Sequence, residues 1–546
     1  MRKYTIGIDF GTLSARAVLM DVQNGDILET SVCEYKHGVF DRELPSGKKL
    51  SPKTALQVAE DYKEALIFTV RDVISKARIT VDSIVGLGID CTACTILPVD
   101  KDMQPLTAQV KYQNEPHAYV KLWKHNSATI EGDKITKLAK KRGENWLARY
   151  GGKTSGEWTF AKLLQICEEN PELYDDTYMF MNCSDWLVYL LTGKIVNNEN
   201  MASYKWLWNE ETGFPDANFF NELHPKMSDV IETKIPQNMA KTATSAGKIN
   251  EKGSKLVGLL SGTIVSTPVI DAHASMPALG IINEGTLMMV VGTSGAYLVH
   301  SKDKKIPKGI MGCAKDSIVP GMYSYEAAQA CCGDHLDWYI KNCIPASYTE
   351  EARNQSLNIY QYLRQKAQKL ESGESGLICL DWFNGNRSIL KDLGLTGAIF
   401  GLTLQTKPEE IYRALMESAI FGTKRIIDNF RENGIEINEI IATGGIAEKD
   451  EMYMQICADV LNCEVKVSKT NMSAAKGSAI YAAVASEVYP NLHSAVDALV
   501  VKEHKIFKPV QKNVESYKKL YIKYLKLHDY FGKGDNDLLR RERDVK

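Results

Sequence analysis

The chain has 546 residues, more than one ordinary hydrophobic core can organise, so two or more domains are expected. Its 66 basic and 68 acidic side chains leave a formal net charge of −2, which excludes a global attraction to nucleic acid or to an anionic membrane. No apolar stretch reaches the roughly 20 residues of a membrane-spanning helix, so we expect neither nucleic-acid nor membrane partners.

The cysteines and the first residues bear on the cellular compartment. The 12 cysteines are scattered through apolar segments, which is typical of reduced thiols rather than of a disulfide framework. The first predicted strand begins at Tyr4, which leaves no room for a signal peptide. We therefore expect a cytoplasmic protein.

The N-terminal segments read as strands and one helix. Residues 4–35 predict a three-stranded meander: "YTIGIDF", then "ARAVLMDV", then the hairpin signal Asn24-Gly25 before "DILETSVCEY". A helical apolar period runs from about Thr54. The segment "IVGLGID" (84–90) predicts a short buried strand that, like the first strand, ends in an aspartate.

The second half of the chain repeats this pattern. "GTLMMVVGTSGAYLVHSKDKKI" (285–306) again predicts strand, Gly-Thr turn and strand. A long helix with Pro408 near its start follows, and then the strand "INEIIATGG", a helix, the strand "CEVKVSK" and the helix "AAKGSAIYAAVASEV". The sequence therefore predicts a duplicated α/β architecture with the site between the halves.

Three glycine turns could hold phosphate, at Gly11-Thr12, Gly292-Thr293 and Gly444-Gly445. Glycine allows the backbone to approach an anion closely, and the N–H groups of such turns form anion-binding concavities. One Gly-Thr turn between strands is usually only a hairpin, but three turns at strand ends favour a phosphate site. "YGGKTSG" looks like the end of a P-loop, yet position 147 is Leu where that motif needs glycine, so we expect a loop.

Two aspartates at strand ends are candidate functional residues, and the pattern leaves two interpretations open for each. Asp271 ends "GTIVSTPVID" and is either a helix cap or a general base for an attacking hydroxyl. Asp9 precedes the first Gly-Thr turn and is either a turn residue or a Mg²⁺ ligand, since Mg²⁺ prefers one or two carboxylates with phosphate oxygens and water.

The chain resembles the FGGY carbohydrate kinases, of the sugar kinase, Hsp70 and actin superfamily, from "GIDFGT" to "AAKGSAIYAAVA". Long segments such as "DCTACTILPVD", "GGKTSGEWTFAKLLQI" and "VIDAHASMPALG" resemble the members of that family that act on L-ribulose. The resemblance implies an α/β fold in which two ribonuclease-H-like domains flank a central cleft. It implies an N-terminal domain over 1–282, a C-terminal nucleotide-binding domain over 283–500 and a charged helical tail over 501–546.

The resemblance also implies a role for each candidate residue. Asp271 would be the base acting on the terminal hydroxyl of the sugar, and Asp9 would hold Mg²⁺. The turns Gly11-Thr12 and Gly292-Thr293 would face the phosphates of ATP, and Gly444-Gly445 its ribose and adenine. The sugar would contact Ala93, Lys205, Asp271 and Glu326. Without the resemblance, Lys205 in "SYKWLW" is typical of a surface lysine among aromatic residues.

The implied activity is phosphorylation of L-ribulose at its 5-hydroxyl by ATP, with Mg²⁺. Many family members that use other sugars read W-x-D-x-R where this chain has "WKHNS" from Trp123, which argues against glycerol or xylulose specificity carried by that loop. Two alternatives stay open. The substrate could be another pentulose such as D-ribulose or xylulose, or the chain could be a nucleotide-dependent, chaperone-like binding protein without a sugar substrate. Superfamily analogy implies a homodimer.

Overall fold

The computed structural model describes residues 2–541 and divides into two compact units. Unit 1 holds the chain up to Ile282 together with Cys313–Ser324 and Thr470–Lys502. Unit 2 holds Asn283–Gly312, Tyr325–Lys469 and the chain from Glu503 onward. The last five residues of the predicted charged tail, 542–546, lie outside the described residues.

The strands are short to medium in length and are numbered in chain order: β1 Tyr4–Phe10, β2 Ser14–Asp21, β3 Ile27–Glu34, β4 Leu56–Gln57, β5 Ile84–Cys91, β6 Ile96–Val99, β7 Val120–Lys121, β8 Met179–Asn182, β9 Asn197–Asn198, β10 Met239–Ala240, β11 Ser245–Lys248, β12 Ile264–Ser266, β13 Val269–Ile270, β14 Gly285–Val291, β15 Gly295–Ser301, β16 Gly312–Lys315, β17 Tyr323–Gln329, β18 Ile378–Leu380, β19 Ala398–Phe400, β20 Ile437–Thr443, β21 Val465–Ser468 and β22 His504–Phe507.

The helices are numbered in the same way: α1 Ala59–Ala77, α2 Thr129–Arg142, α3 Thr159–Glu169, α4 Pro171–Asp176, α5 Cys183–Thr192, α6 Glu199–Lys205, α7 Ala217–Leu223, α8 Val230–Lys234, α9 Glu251–Val257, α10 Asp271–Ala278, α11 Asp334–Cys343, α12 Ala346–Asn354, α13 Ile359–Ala367, α14 Pro408–Glu432, α15 Gly445–Lys449, α16 Glu451–Leu461, α17 Ser473–Ala485, α18 Leu492–Leu499 and α19 Gln511–Gly532. Within residues 2–541, no helix combines the length and the hydropathy that crossing a bilayer requires.

The main sheet of unit 1 has the strand order β11-β12-β5-β1-β2-β3, and β13 also pairs with β5. Strands β1, β2 and β3 form the predicted antiparallel meander, with Gly25 in the left-handed region (φ 74°) at the hairpin between β2 and β3. Strand β5 lies parallel to β1, β12 and β13. The predicted strand over 84–90 is therefore confirmed, and the structure adds that it pairs with the first strand.

Unit 2 repeats the same strand order, with β17-β15-β14-β20-β21-β22 along its sheet. Strand β14 pairs antiparallel with β15 and parallel with β20, as β1 does with β2 and β5. Strand β21 continues the sheet parallel to β20, and β22 closes it antiparallel. Two α/β units with one topology confirm the predicted fold class.

The helix predicted from about Thr54 begins later, at Ala59. Leu56 and Gln57 form strand β4 instead, which pairs with β7. Leu56 also exchanges both backbone hydrogen bonds with Phe40, each 2.9 Å long. These long-range partners use the backbone groups that a helix would need, so the prediction of the helix start was wrong.

Glycines let helix α17 pack closely against β1 and β5 in unit 1. A Cβ atom at Gly7 would lie 1.9 Å from the carbonyl oxygen of Ala475, and one at Gly88 would lie 2.0 Å from that of Ser478. Side chains bond across the same contact, because Thr5 Oγ1 donates to the Ala479 carbonyl at 3.0 Å. The helix therefore lies close to the strands that carry the aspartates.

We expect Gly88→Ala to lower the free energy of unfolding by about 1–3 kcal/mol, because the new methyl group meets backbone that cannot rotate away. Gly86→Ala on the same strand is the graded comparison and should cost less, because its added Cβ would lie 2.9 Å from the Ala482 carbonyl of the same helix rather than 2.0 Å. Urea denaturation of both variants measures the effect. A loss at Gly88 no larger than the loss at Gly86 would contradict the closer helix contact at Gly88.

Candidate active site

Three aspartates lie at one edge of the unit 1 sheet. Asp9 near the end of β1 is opposite Asp90 near the end of β5 in parallel register. On the other side of β5, Val269 is opposite Asp90, and Asp271 follows β13 as the first residue of α10. No role for Asp90 was predicted from the sequence, although the strand predicted over 84–90 ends in this aspartate.

The carboxyl groups of Asp9 and Asp90 interact directly; Asp90 is completely buried, whereas Asp9 is partly buried. Burial raises the pKa of Asp90 well above its usual range, and the neighbouring charge of Asp9 raises it further. Burial also raises the pKa of Asp9, partly offset by Asp90 and by Arg16, whose guanidinium is 3.9 Å away. Ser478 Oγ donates to Asp90 Oδ2 at 2.6 Å, whereas no donor among residues 2–541 contacts Asp90 Oδ1. Such a pair holds either a proton or a cation between its oxygens.

Asp271 is partly exposed and lies inside the first turn of α10. The N-cap residue of α10 is Ile270, so Asp271 lies one position after the cap and is not itself the N-cap residue. One carboxylate oxygen, Oδ1, nevertheless accepts the backbone N–H of Ala272 at 2.7 Å. This bond fixes the orientation of the carboxylate at the end of the strand.

The first glycine turn is held by side chains from two other segments. Within the turn, Gly11 N donates to the Ser14 carbonyl at 3.0 Å. Trp123 Nε1 donates to Thr12 Oγ1 at 3.0 Å, and Gln57 Nε2 donates to the Thr12 carbonyl at 2.8 Å. The predicted phosphate turn is therefore bonded to the loop that contains Trp123.

Ala93 lies in a tight turn after β5 and is partly exposed. The next residue, Cys94, has a φ of 53° and its backbone N–H contacts Met201 Sδ at 3.2 Å. Lys162 Nζ donates to the carbonyls of Cys94, at 2.7 Å, and of Leu122, at 2.9 Å. Burial lowers the pKa of Lys162 to about 8, so a buried amine holds this turn.

A second buried lysine, Lys121, predicts a pH dependence of stability. Burial, together with the neighbouring charge of Lys162, lowers its pKa from 10.5 to about 7, against the opposing effect of Glu169 and Glu115. Between those two pKa values the unfolded chain binds more protons than the folded protein, so the contribution of Lys121 to stability improves as the pH rises.

We therefore expect the free energy of unfolding of the wild-type protein, relative to Lys121→Met, to rise by about 3 kcal/mol between pH 7 and pH 10. Denaturant titrations of both proteins at each pH give this difference. A difference that stays constant or falls with pH would show that Lys121 is charged in the folded protein.

Lys205 is the last residue of α6 and is buried, with only 4% of its surface exposed. Its Nζ lies 5.8 Å from the ring centroids of both Trp158 and Tyr204. The interpretation as a surface lysine, drawn from the sequence pattern alone, was therefore wrong. Glu326 belongs to unit 2, where it is partly exposed on β17 and accepts the N–H of Met311 at its carbonyl, 2.8 Å away.

The two glycine turns of unit 2 follow neighbouring parallel strands. Gly292 N donates to the Ser294 carbonyl at 3.0 Å. Gly444 has a φ of 99°, and a Cβ atom there would lie 2.7 Å from the Val291 carbonyl oxygen. The structure adds Gly333, whose N–H donates to the Thr293 carbonyl at 3.0 Å. Gly333 lies beside this turn only in the tertiary structure, so no pattern in the sequence indicated it.

The segment that looks like a P-loop is a loop, as predicted. Residues 151–158 contain turns without a strand before them, and the preceding Asn145–Tyr150 is a 3₁₀-helix. Lys153 forms an ion pair with Asp133 at 3.5 Å. This lysine therefore takes part in an ion pair on the surface of unit 1.

The fit to Mg²⁺ follows from the carboxylates present. Over residues 2–541, the structure shows no group of three or more His, Cys, Asp and Glu side chains that could hold a metal ion. Mg²⁺ needs no such group, because it is commonly held by one or two carboxylates together with phosphate oxygens and water. The Asp9–Asp90 pair, with one oxygen that lacks a donor, fits this requirement.

Both halves of the chain match the domains of one enzyme family. Residues 4–277 match the N-terminal domain of the FGGY family of carbohydrate kinases, and residues 287–486 match its C-terminal domain. The chain belongs to this family. As an FGGY kinase it is a phosphotransferase, and the resemblance drawn from its motifs is confirmed.

Two curated FGGY kinases are similar to this chain over nearly its full length. The ribulokinase of Bacillus licheniformis is 44% identical over 533 residues, which cover 97% of this chain and 97% of that protein. The ribulokinase of Geobacillus thermodenitrificans is 42% identical over 545 residues, covering 99% and 96%.

Two solved kinase structures share the fold. The gluconate kinase of Lactobacillus acidophilus has a TM-score of 0.81 at 21% identity, with 97% of this chain and 98% of that chain covered. The xylulose kinase of the same organism has a TM-score of 0.80 at 21% identity, covering 96% and 98%. At such identities the likeness concerns the fold alone.

Proposed function

We propose that this FGGY kinase transfers the γ-phosphoryl group of ATP to the 5-hydroxyl of L-ribulose, giving L-ribulose 5-phosphate and ADP. The observation that carries the proposal is the 42–44% identity to two ribulokinases over almost the entire chain. The same identity to ribulokinases supports a role for the enzyme in L-arabinose catabolism in the cytoplasm. The homodimer implied by superfamily analogy stays a prediction.

Unit 1 supplies the proposed base and most of the sugar contacts. Asp271 accepts the proton of the 5-hydroxyl as its oxygen attacks the γ-phosphorus, which breaks the bond to the β–γ bridging oxygen and releases ADP. The Lys205 ammonium donates charge-assisted hydrogen bonds to sugar oxygens. Ala93 leaves room for the sugar carbon chain, and Glu326 accepts from a sugar hydroxyl.

The glycine turns supply the proposed nucleotide contacts. Backbone N–H groups at Gly11-Thr12 and Gly292-Thr293 donate to phosphate oxygens, on which negative charge is concentrated during transfer. Gly444-Gly445 leaves space for the ribose and adenine. Asp9, with Asp90 beside it, holds Mg²⁺. When bound, the ion neutralises charge on the phosphate oxygens.

An ADP-release assay coupled to NADH oxidation tests the proposal across L-ribulose, D-ribulose, L- and D-xylulose, glycerol and a sample without sugar. We expect kcat/KM to be about tenfold or more higher for L-ribulose than for the others. A higher value for another pentulose would replace L-ribulose as the substrate. ADP release that no sugar stimulates would favour the chaperone-like interpretation and contradict the proposal.

A further inference from the structure

Helix α6 contacts the segments of unit 1 that carry the proposed sugar-binding residues. Lys205 is its last residue. Met201 Sδ accepts the backbone N–H of Cys94, beside Ala93, at 3.2 Å. Asn200 bonds on both sides of Asp271. Three positions of one short helix therefore reach three proposed sugar contacts.

We infer that Asn200 is a positioning residue for Asp271, and that α6 holds the base in register with Lys205 and the Ala93 turn. This inference rests on the proposed function. Asn200 itself contacts neither reacting atom, so it acts through the backbone and side chain of α10.

The hydrogen bonds of Asn200 define its orientation. Oδ1 accepts the backbone N–H of Ile270 at 2.9 Å, and Nδ2 donates to the Ser317 carbonyl at 2.6 Å. An N–H partner on one side and a carbonyl on the other fix which amide atom is oxygen. His273 Nδ1 lies 2.9 Å from Nδ2 and 3.2 Å from Oδ1, so the amide bonds to this ring as donor or as acceptor in either tautomer. The Asn200 side chain is completely buried.

These bonds bracket Asp271 along the chain. Ile270 is the N-cap residue of α10, Asp271 the first helical residue, and His273 lies two positions further. Because Asn200 holds both flanking residues, it fixes the point at which strand β13 becomes a helix and thus the origin of the Asp271 side chain. A shift of about 1 Å in a reacting group is enough to lower a rate about 10²-fold.

Helix α6 is itself held firmly enough to act as this reference. Asn198 Oδ1 accepts the N–H of Met201 at 2.7 Å and caps the helix. Tyr150 OH donates to the Ser203 carbonyl at 2.7 Å. Tyr204 packs on the His273 ring with centroids 4.5 Å apart. A buried helix with these contacts transmits a displacement at Asn200 directly to Lys205.

The test compares Asn200→Ala and Asn200→Asp with Asn197→Ala. Asn197 is the matched control: it is equally buried three positions earlier, and its Nδ2 donates to the Pro236 carbonyl at 3.3 Å. We expect Asn200→Ala to lower kcat/KM for the sugar about 10–100-fold while the KM for ATP stays within about twofold. Asn197→Ala is expected to lower the melting temperature without changing the sugar kinetics.

Asn200→Asp retains an acceptor for the N–H of Ile270 and removes the amide donor that bonds to the Ser317 carbonyl. Because the bond to Ile270 lies directly before Asp271, we expect Asn200→Asp to lose less kcat/KM for the sugar than Asn200→Ala, again with the KM for ATP within about twofold of wild type. The split between sugar and ATP kinetics in Asn200→Asp is measurable even if Asn200→Ala does not fold.

Sugar and ATP kinetics equal to wild type in Asn200→Ala, or a loss of sugar kcat/KM in Asn200→Asp larger than in Asn200→Ala, would overturn the inference. Equal losses for sugar and ATP would also overturn it, since they indicate a general loss of structure. If the wild-type protein prefers another pentulose, the proposed substrate fails, and the same comparison with that sugar still tests Asn200. A wild-type protein that phosphorylates no sugar would overturn both proposals.

Discussion

Asp271→Asn is expected to lower kcat by about 10²–10⁴-fold, because an amide cannot take the proton from the attacking hydroxyl. The amide oxygen can still accept the N–H of Ala272, which Asp271 Oδ1 accepts at 2.7 Å, so the start of α10 should keep its geometry. Sugar binding should change much less than turnover. Steady-state kinetics and calorimetric titration with L-ribulose measure the two effects separately.

Asp216→Asn is the matched control for this substitution. Asp216 caps helix α7 by accepting the N–H of Phe219 at 2.7 Å, so it is a helix-start aspartate in the same unit without a proposed role in catalysis. Its substitution should leave kcat within about twofold. Near-normal turnover in Asp271→Asn would remove Asp271 from the role of base and restore the interpretation that it only stabilises the helix start.

Lys205→Met is expected to lower kcat/KM for L-ribulose by about 10–100-fold, mainly through KM, since one charge-assisted hydrogen bond contributes about 1.5–3 kcal/mol. Methionine retains the apolar stem that packs near Trp158 and Tyr204. The KM for ATP should stay nearly unchanged. Initial rates with each substrate varied in turn give the three constants.

Lys234→Met provides the comparison, because Lys234 also lies over an aromatic ring, with its Nζ 5.4 Å from the centroid of Tyr174. It belongs to α8 and donates to the Asp175 carbonyl at 3.1 Å. An unchanged kcat/KM for the sugar in Lys205→Met would refute the placement of this lysine at the sugar. A loss of the same size in Lys234→Met would point to stability rather than substrate binding.

The fold could be predicted where local pattern decides it. The alternation in β1 and the turn at Gly25 are local features, and the Gly-Thr turns mark the equivalent hairpin in each unit. The start of α1 was misplaced because strand β4 exists only through its pairing with β7 and Phe40, which are distant in sequence. Long-range pairing of a two-residue strand leaves no periodic signal.

The residues of the candidate site also divide into those that local sequence pattern indicates and those that depend on long-range contacts. Asp9 and Asp271 were found because each lies at the end of a strand, next to a turn or a helix, whereas the importance of Asp90 depends on the register that places it opposite Asp9. Lys205 looked like a surface residue because its neighbours in sequence do not show that the tertiary structure buries it. Asn200 gives no sequence signal at all, since its partners Ile270 and Ser317 lie 70 and 117 positions away.

The identity of the product tests the central claim most directly. Incubation of the enzyme with ATP, Mg²⁺ and L-ribulose labelled with ¹³C at C5, followed by NMR, shows which sugar oxygen receives the phosphoryl group. We expect the C5 resonance to acquire a coupling to ³¹P while ADP forms in equal amount. A product phosphorylated at another carbon, or ADP formed without any sugar phosphate, would contradict the account.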